Sequence, residues 1–143
     1  MGKAYERGMK TRRKVLGDEW VDLAEKNKTS FNADFQDLLT RYCWDEIWNR
    51  PGLTHKVRRT IVITITLCIG RWEEYRLHVR AALQSGELDE DGLKEILLQA
   101  AIYAGVPAAN TAFKEAREVI DSLGKKKTAK SPPRKGPRAK ARR

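Results

Sequence analysis

The stretch Thr60-Ile61-Val62-Ile63-Thr64-Ile65-Thr66-Leu67 constrains the fold of this chain more than any other. It alternates and is rich in β-branched residues, so local propensity alone favours a strand. A strand needs a partner for its backbone N–H and C=O groups, however, and the chain holds no second run of this kind. Every neighbouring segment carries helical periodicity. The run is therefore read as a buried helix, in which threonine hydroxyls bond back to carbonyls one turn earlier. The fold class that follows is all-α, a compact helical bundle.

The other segments agree with that reading. Met9, Val15, Leu16, Trp20, Val21 and Leu23 are spaced among charges, and Gly17-Asp18 divides them into two short helices, Asp18 capping the second. Asn27 to Asn32 is a polar linker with Phe31 as its anchor. From Asp34 onward, Phe35, Leu38, Leu39, Tyr42, Cys43, Ile47 and Trp48 recur at three and four residues, which predicts an amphipathic helix ended by Arg50-Pro51-Gly52. A helix from about Gly70 stops at Ser85-Gly86, and the next opens on acids that suit a helix N-terminus. Its core face is Leu93, Ile96, Leu97, Ala100, Ala101 and Tyr103. Gly105-Val106-Pro107 breaks it, and a last helix closes near Leu123-Gly124.

The formal net charge of +10 suggests nucleic acid until its location is considered. Lys125 to Arg143 holds ten of the 29 basic residues and no acid, so residues 1–124 set nineteen basic residues against all 19 acidic ones. The excess belongs to a tail without a large apolar residue, expected to be disordered, through which a polyanion could be bound. The domain organisation is thus a helical domain at 1–124 and a Lys/Arg-rich tail at 125–143. No apolar run approaches the roughly 18 residues a membrane span needs, and the N-terminus is polar, so a soluble, cytoplasmic protein is expected. Cys43 and Cys68 lie among apolar residues without zinc or redox spacing and read as buried free thiols.

One polar constellation stands out. In the helix after Gly70, Arg71, Glu74 and His78 fall at i, i+3 and i+7, so a cation, a carboxylate and an imidazole share a face. Ala81 and Ala82 leave room beside the ring. The spacing marks a possible site and not yet a function. The bland alternative for each is a satisfied core histidine or a surface ion pair. His55, at a helix start, carries little weight as a site residue.

Three strings carry a resemblance. Trp44-Asp45-Glu46-Ile47-Trp48-Asn49-Arg50-Pro51-Gly52-Leu53 is followed by Gly70-Arg71-Trp72-Glu73-Glu74 leading to Leu77-His78-Val79-Arg80-Ala81-Ala82, and then by Ala101-Ile102-Tyr103-Ala104-Gly105-Val106-Pro107-Ala108-Ala109-Asn110. Together with Arg12-Arg13-Lys14-Val15-Leu16-Gly17, they resemble the gamma-carboxymuconolactone decarboxylase family over nearly all of residues 7–121. The resemblance implies a bundle of the alkylhydroperoxidase-like superfamily, a ring-shaped homohexamer, and a carboxy-lyase of the beta-ketoadipate pathway of aromatic compound catabolism. The family converts 4-carboxymuconolactone to 3-oxoadipate enol-lactone and CO2, with no cofactor and no metal. The sequence holds no clear ligand cluster for a metal.

On that resemblance His78 is the candidate proton donor and Glu74 the group that tunes it, while Arg71, Arg50 and Arg58 are candidates for binding substrate carboxylates. Trp44, Trp48 or Trp72 would form an apolar wall beside the carboxylate that leaves. Asp45 departs from the family, which commonly has Gly there, and the basic tail lies outside its pattern. Related peroxidases carry Cys-x-x-Cys before the histidine; Arg71 and Glu74 hold those places here, which excludes that activity. The rival classes are a decarboxylase for another lactone or 3-oxo acid and a non-enzymatic helical module with a polyanion-binding tail.

Overall fold

A computed structural model describes residues 2–130. Among them the architecture is all helical: α1 (Lys3–Leu16), α2 (Asp18–Lys26), α3 (Ala33–Leu39), a π-helical segment (Thr40–Ile47), α4 (His55–Cys68), α5 (Trp72–Ser85), α6 (Glu90–Ala104) and α7 (Val106–Lys130). The β-branched run lies inside α4, as its lack of a partner requires. Thr60, Thr64 and Thr66 donate to the carbonyls of Lys56, Thr60 and Val62 at 3.0, 2.9 and 2.7 Å. These bonds keep the hydroxyls satisfied within the helix itself.

Two apolar clusters hold the molecule together. The larger joins Ile63 and Leu67 of α4, Tyr75, Val79 and Ala82 of α5, Leu93 and Leu97 of α6, and Ala112, Ala116 and Val119 of α7. The smaller joins Val15 and Leu16 of α1, Val21 of α2, Trp44 of the π-helical segment and Trp48 immediately after it. Helices α4 and α5 serve both, since Val62 and Leu77 pack against the smaller cluster while Ile63 and Tyr75 sit in the larger. The Tyr75 hydroxyl also donates to the Ala112 carbonyl at 2.9 Å, tying α5 to α7 inside the core. The close approach of α1 to the π-helical segment depends on Gly8, where an added Cβ would lie 2.0 Å from the Thr40 carbonyl oxygen.

Several expectations are corrected. Asp18 does not cap α2: it is the first helical residue and pairs with Arg13 at 3.1 Å, while Gly17, at φ 88°, holds the cap position. Phe31 is 98% exposed and anchors nothing, and Tyr103 is 84% exposed rather than part of the α6 core face. Cys68 is exposed and Cys43 half-buried, both as free thiols. The helix from Asp34 changes to π geometry at Thr40, and the wider turn brings Trp44 and Trp48 inward while Phe35, Leu38 and Tyr42 stay exposed. Finally, α7 runs past Gly124 to Lys130, so the first residues of the basic segment are helical. The remainder of the expected tail, 131–143, lies outside the described residues. Among the described residues no helix is long and apolar enough to cross a membrane.

Candidate active site

His78 sits at the seam between the two clusters. On α5, Tyr75, His78, Val79 and Ala82 share the inward face, so the spacing that buries the apolar three also buries the imidazole, which is 7% exposed. Its ring stacks on Trp48 with centroids 6.0 Å apart and planes 11° apart. Trp48 in turn stacks on Trp44 at 5.2 Å and 28°, forming a ladder from the smaller cluster to the imidazole. The ring of His55 meets the edge of Trp48 at 5.8 Å, and its Nε2–H donates to the Trp48 carbonyl at 3.1 Å. His55, given little weight from sequence, braces the residue on which His78 lies.

The charged neighbour of His78 is a cation, not the expected carboxylate. Nη1 of Arg59 lies 3.4 Å from His78 Nδ1. Arg59 is only 2% exposed, donates from Nε to Glu87 Oε2 at 2.7 Å, and donates from Nη2 to the Val15 carbonyl at 2.5 Å. Burial, with the Arg59 charge added to it, lowers the His78 pKa to about 3. The ring is therefore neutral at physiological pH, which reverses the expectation that a carboxylate holds it charged. Sequence reasoning missed Arg59, although the signal was there: it precedes Ile63 and Leu67 by four and eight residues and so lies on the buried face of α4.

The other expected residues divide. Glu74 and Arg71 are both exposed, Arg71 at the N-cap of α5, where its backbone N–H donates to the Thr66 carbonyl at 2.8 Å. Among the described residues no hydrogen bond or ion pair joins either side chain to His78, so the expected shared face is split between a buried ring and an open helix end. Arg50 is exposed, and its carbonyl accepts from Arg58 Nη2 at 2.9 Å. Arg58 is half-buried. Its Nε, and the indole Nε1 of buried Trp44, are buried donors with no partner in the protein. Arg12 Nε is a third such donor among the described residues, and a buried donor left unpaired is costly. Trp72 belongs elsewhere, edge-on to Tyr75 at 5.5 Å and packed against the larger cluster. Asp45, in the place where Gly was expected, accepts from Arg7 Nη2 at 2.7 Å and from Asn49 at 3.1 Å and so fastens the π-helical segment to α1.

Among the described residues no three His, Cys, Asp or Glu side chains gather where they could hold a metal ion. A cavity of about 870 Å³ is lined by Leu83, Leu88, Ile120 and Leu123 together with Glu19 and Asp89, and none of its lining residues is His78, Arg59 or Trp48. Convergent polar groups mark a site better than volume does, and they converge on the ladder.

The sequence profile of the carboxymuconolactone decarboxylase family matches residues 33–118, from the start of α3 into α7. The chain belongs to that family. A 4-carboxymuconolactone decarboxylase of Acinetobacter baylyi is 41% identical over 120 residues, 84% of this chain and 89% of the relative. A nitrosuccinic acid decarboxylase of Metarhizium robertsii is 36% identical over 132 residues, 91% of this chain and 90% of the relative. A 4-carboxymuconolactone decarboxylase of Pseudomonas putida is 45% identical over 42 residues, 29% of this chain and 88% of the relative. The family segment carries Trp44, Trp48, Arg58, Arg59, His78 and Glu87, whereas Val15, which holds the Arg59 guanidinium, is supplied by α1 from outside it.

Proposed function

We propose that this protein decarboxylates 4-carboxymuconolactone to 3-oxoadipate enol-lactone and CO2, without a cofactor, in the protocatechuate branch of the beta-ketoadipate pathway. The observation that carries the reading is the 41% identity to the Acinetobacter baylyi enzyme across 84% of the chain. The chemistry suits a site of this composition. When the bond from the lactone γ carbon to its carboxylate breaks, the electron pair passes through the ring double bond into the lactone carbonyl, and CO2 departs. The resulting dienolate takes up one proton on carbon. The substrate is its own electron sink, so the protein has to bind the second carboxylate, stabilise charge on the lactone oxygen and supply the proton.

In this reading the Trp44–Trp48 ladder is the apolar wall against the departing carboxylate, where a cation would stabilise the ground state more than the transition state. Arg58 and the Trp44 indole N–H are assigned to the substrate's remaining anionic oxygens, with Arg71 and Arg50 at the open rim drawing in the acetate arm. His78 is the catalytic residue at the reacting centre. Glu74, exposed one turn before it, is assigned proton exchange between solvent and the substrate carbon.

The protein is proposed to act in the cytoplasm as a homo-oligomer, a hexamer by its resemblance, with residues 1–124 as the catalytic domain and no catalytic role for 125–143. Support for association comes from large apolar side chains left open on a single chain, among them Ile61, Ile65, Leu98, Ile102 and Tyr103. The deciding assay supplies 4-carboxymuconolactone in chelator with no added cofactor. Stoichiometric CO2 and enol-lactone are expected; turnover no faster than the buffer blank would remove the assignment. The Metarhizium robertsii relative favours a second reading, decarboxylation of another acid carrying an electron-withdrawing group, and nitrosuccinic acid in the same assay tests it.

A further inference from the structure

Arg59 is held so firmly that it dictates the state of the ring beside it. Its Nε is committed to Glu87 Oε2 at 2.7 Å and its Nη2 to the Val15 carbonyl at 2.5 Å, which leaves Nη1 directed at His78 Nδ1, 3.4 Å away. A guanidinium donates and never accepts. The nitrogen it faces must therefore offer a lone pair, and a neutral imidazole with its lone pair on Nδ1 carries its hydrogen on Nε2. An imidazolium would set two N–H groups and two positive charges against each other.

We propose that Arg59, braced by Glu87 and the Val15 carbonyl, is a positioning residue that locks His78 as the neutral Nε2–H tautomer. The groups around the ring from each packed element are consistent with this. Helix α4 contributes Arg59, and the π-helical segment and the loop after it contribute the uncharged face of Trp48. His55 reaches only Trp48, by its edge and through the carbonyl. From α1 comes the Val15 carbonyl, occupied by Arg59; from the α5–α6 turn comes Glu87, its carboxylate likewise spent on Arg59; and on α5 itself Glu74 is exposed. Among the described residues no carboxylate is paired with the imidazole.

The consequence for catalysis rests on the decarboxylase reading; the tautomer does not. A ring fixed in this way serves as a neutral hydrogen-bond donor, its Nε2–H stabilising the lactone oxygen as the electron pair arrives there. It does not deliver the carbon's proton as an imidazolium. That proton comes from another group in exchange with solvent, and the bond-breaking step needs no prior protonation of His78.

The chain has only two histidines, so ¹⁵N-histidine labelling of the full-length protein gives two resolvable rings. Long-range ¹H–¹⁵N spectra should show His78 as neutral Nε2–H with no titration between about pH 5 and pH 8, His55 being assigned by its loss in His55→Gln. An Nδ1–H ring, or a normal histidine titration for His78 in the wild-type protein, overturns the proposal without any variant. Arg59→Met paired with Glu87→Leu removes both charges together and leaves no orphaned carboxylate. In that folded double variant His78 should become a tautomer mixture that titrates closer to neutrality, with kcat down about tenfold or more and KM changed less. An unchanged tautomer and titration there would mean that Arg59 is not the device. A wild-type ring that behaves as described in a protein inert toward 4-carboxymuconolactone would retain the positioning role and dismiss only the substrate.

Discussion

Trp48 and His78 stack face to face, 6.0 Å apart and 11° from parallel, and that pair joins the two apolar clusters at the candidate site. Each ring has a separable role. Trp48→Ala should cost about 3–5 kcal/mol of stability, because a large buried ring is removed from the smaller cluster and from under the imidazole. His78→Gln keeps volume and polarity close to the original and should fold. Its kcat should fall by about 10²–10⁴-fold if His78 acts at the reacting centre. Near-normal turnover by a folded His78→Gln would take the residue out of the reaction.

The depressed pKa of His78 fixes the sign of a pH effect on stability. Folded, the ring protonates only near pH 3; unfolded, it does so at its ordinary value of about 6.5. Between those values the unfolded chain binds the extra proton, so stability rises with pH through the window and its His78 contribution is complete above about 6.5. One proton gives a slope of up to about 1.4 kcal/mol per pH unit. Urea titrations across the window should show a steeper dependence for wild type than for His78→Gln. Equal slopes would mean that the folded ring takes up protons as readily as the unfolded one.

Gly8→Ala tests the contact between α1 and the π-helical segment. The new Cβ would fall 2.0 Å from the Thr40 carbonyl oxygen, which is backbone and cannot swing aside. Helix propensity favours alanine over glycine by about 1 kcal/mol, and overpacking should outweigh that, for a net loss of about 1–3 kcal/mol. The displaced segment carries Trp44 and leads directly into Trp48, so activity should fall with stability. A more stable variant in denaturant melts would show that the helices can separate without cost.

Ile102 is 80% exposed beside an 84% exposed Tyr103 at the end of α6. If this face is covered by another copy of the chain, Ile102→Glu should shift the mass measured by light scattering toward the monomer while leaving the helical content unchanged. The same mass as wild type would place the subunit contact elsewhere.

Much of this molecule was legible before any tertiary contact was known. The threonines of the 60–67 run satisfy themselves within one helix, and a strand without a partner could not have done so, which is why the all-α class followed from sequence. The breaks at Gly17, Gly70, Gly86 and Gly105 were equally local: each has positive φ, a conformation that glycine adopts at little cost. His78 was legible as a candidate too, though as the imidazole of a polar face shared with Arg71 and Glu74 and not as a residue buried with Tyr75, Val79 and Ala82. The sequence alone could not decide what His78 touches. Glu74 is its neighbour along the helix and was expected to tune it, yet the groups that reach the ring come from Arg59, nineteen residues away, and from Trp48, while Val15 and Glu87 hold Arg59 in place. Helical spacing reports which residues share a face, whereas the charge on a buried imidazole depends on the groups that other elements bring against it. Only the packing of α1, the π-helical segment and α4 onto α5 put a cation there and made the ring neutral.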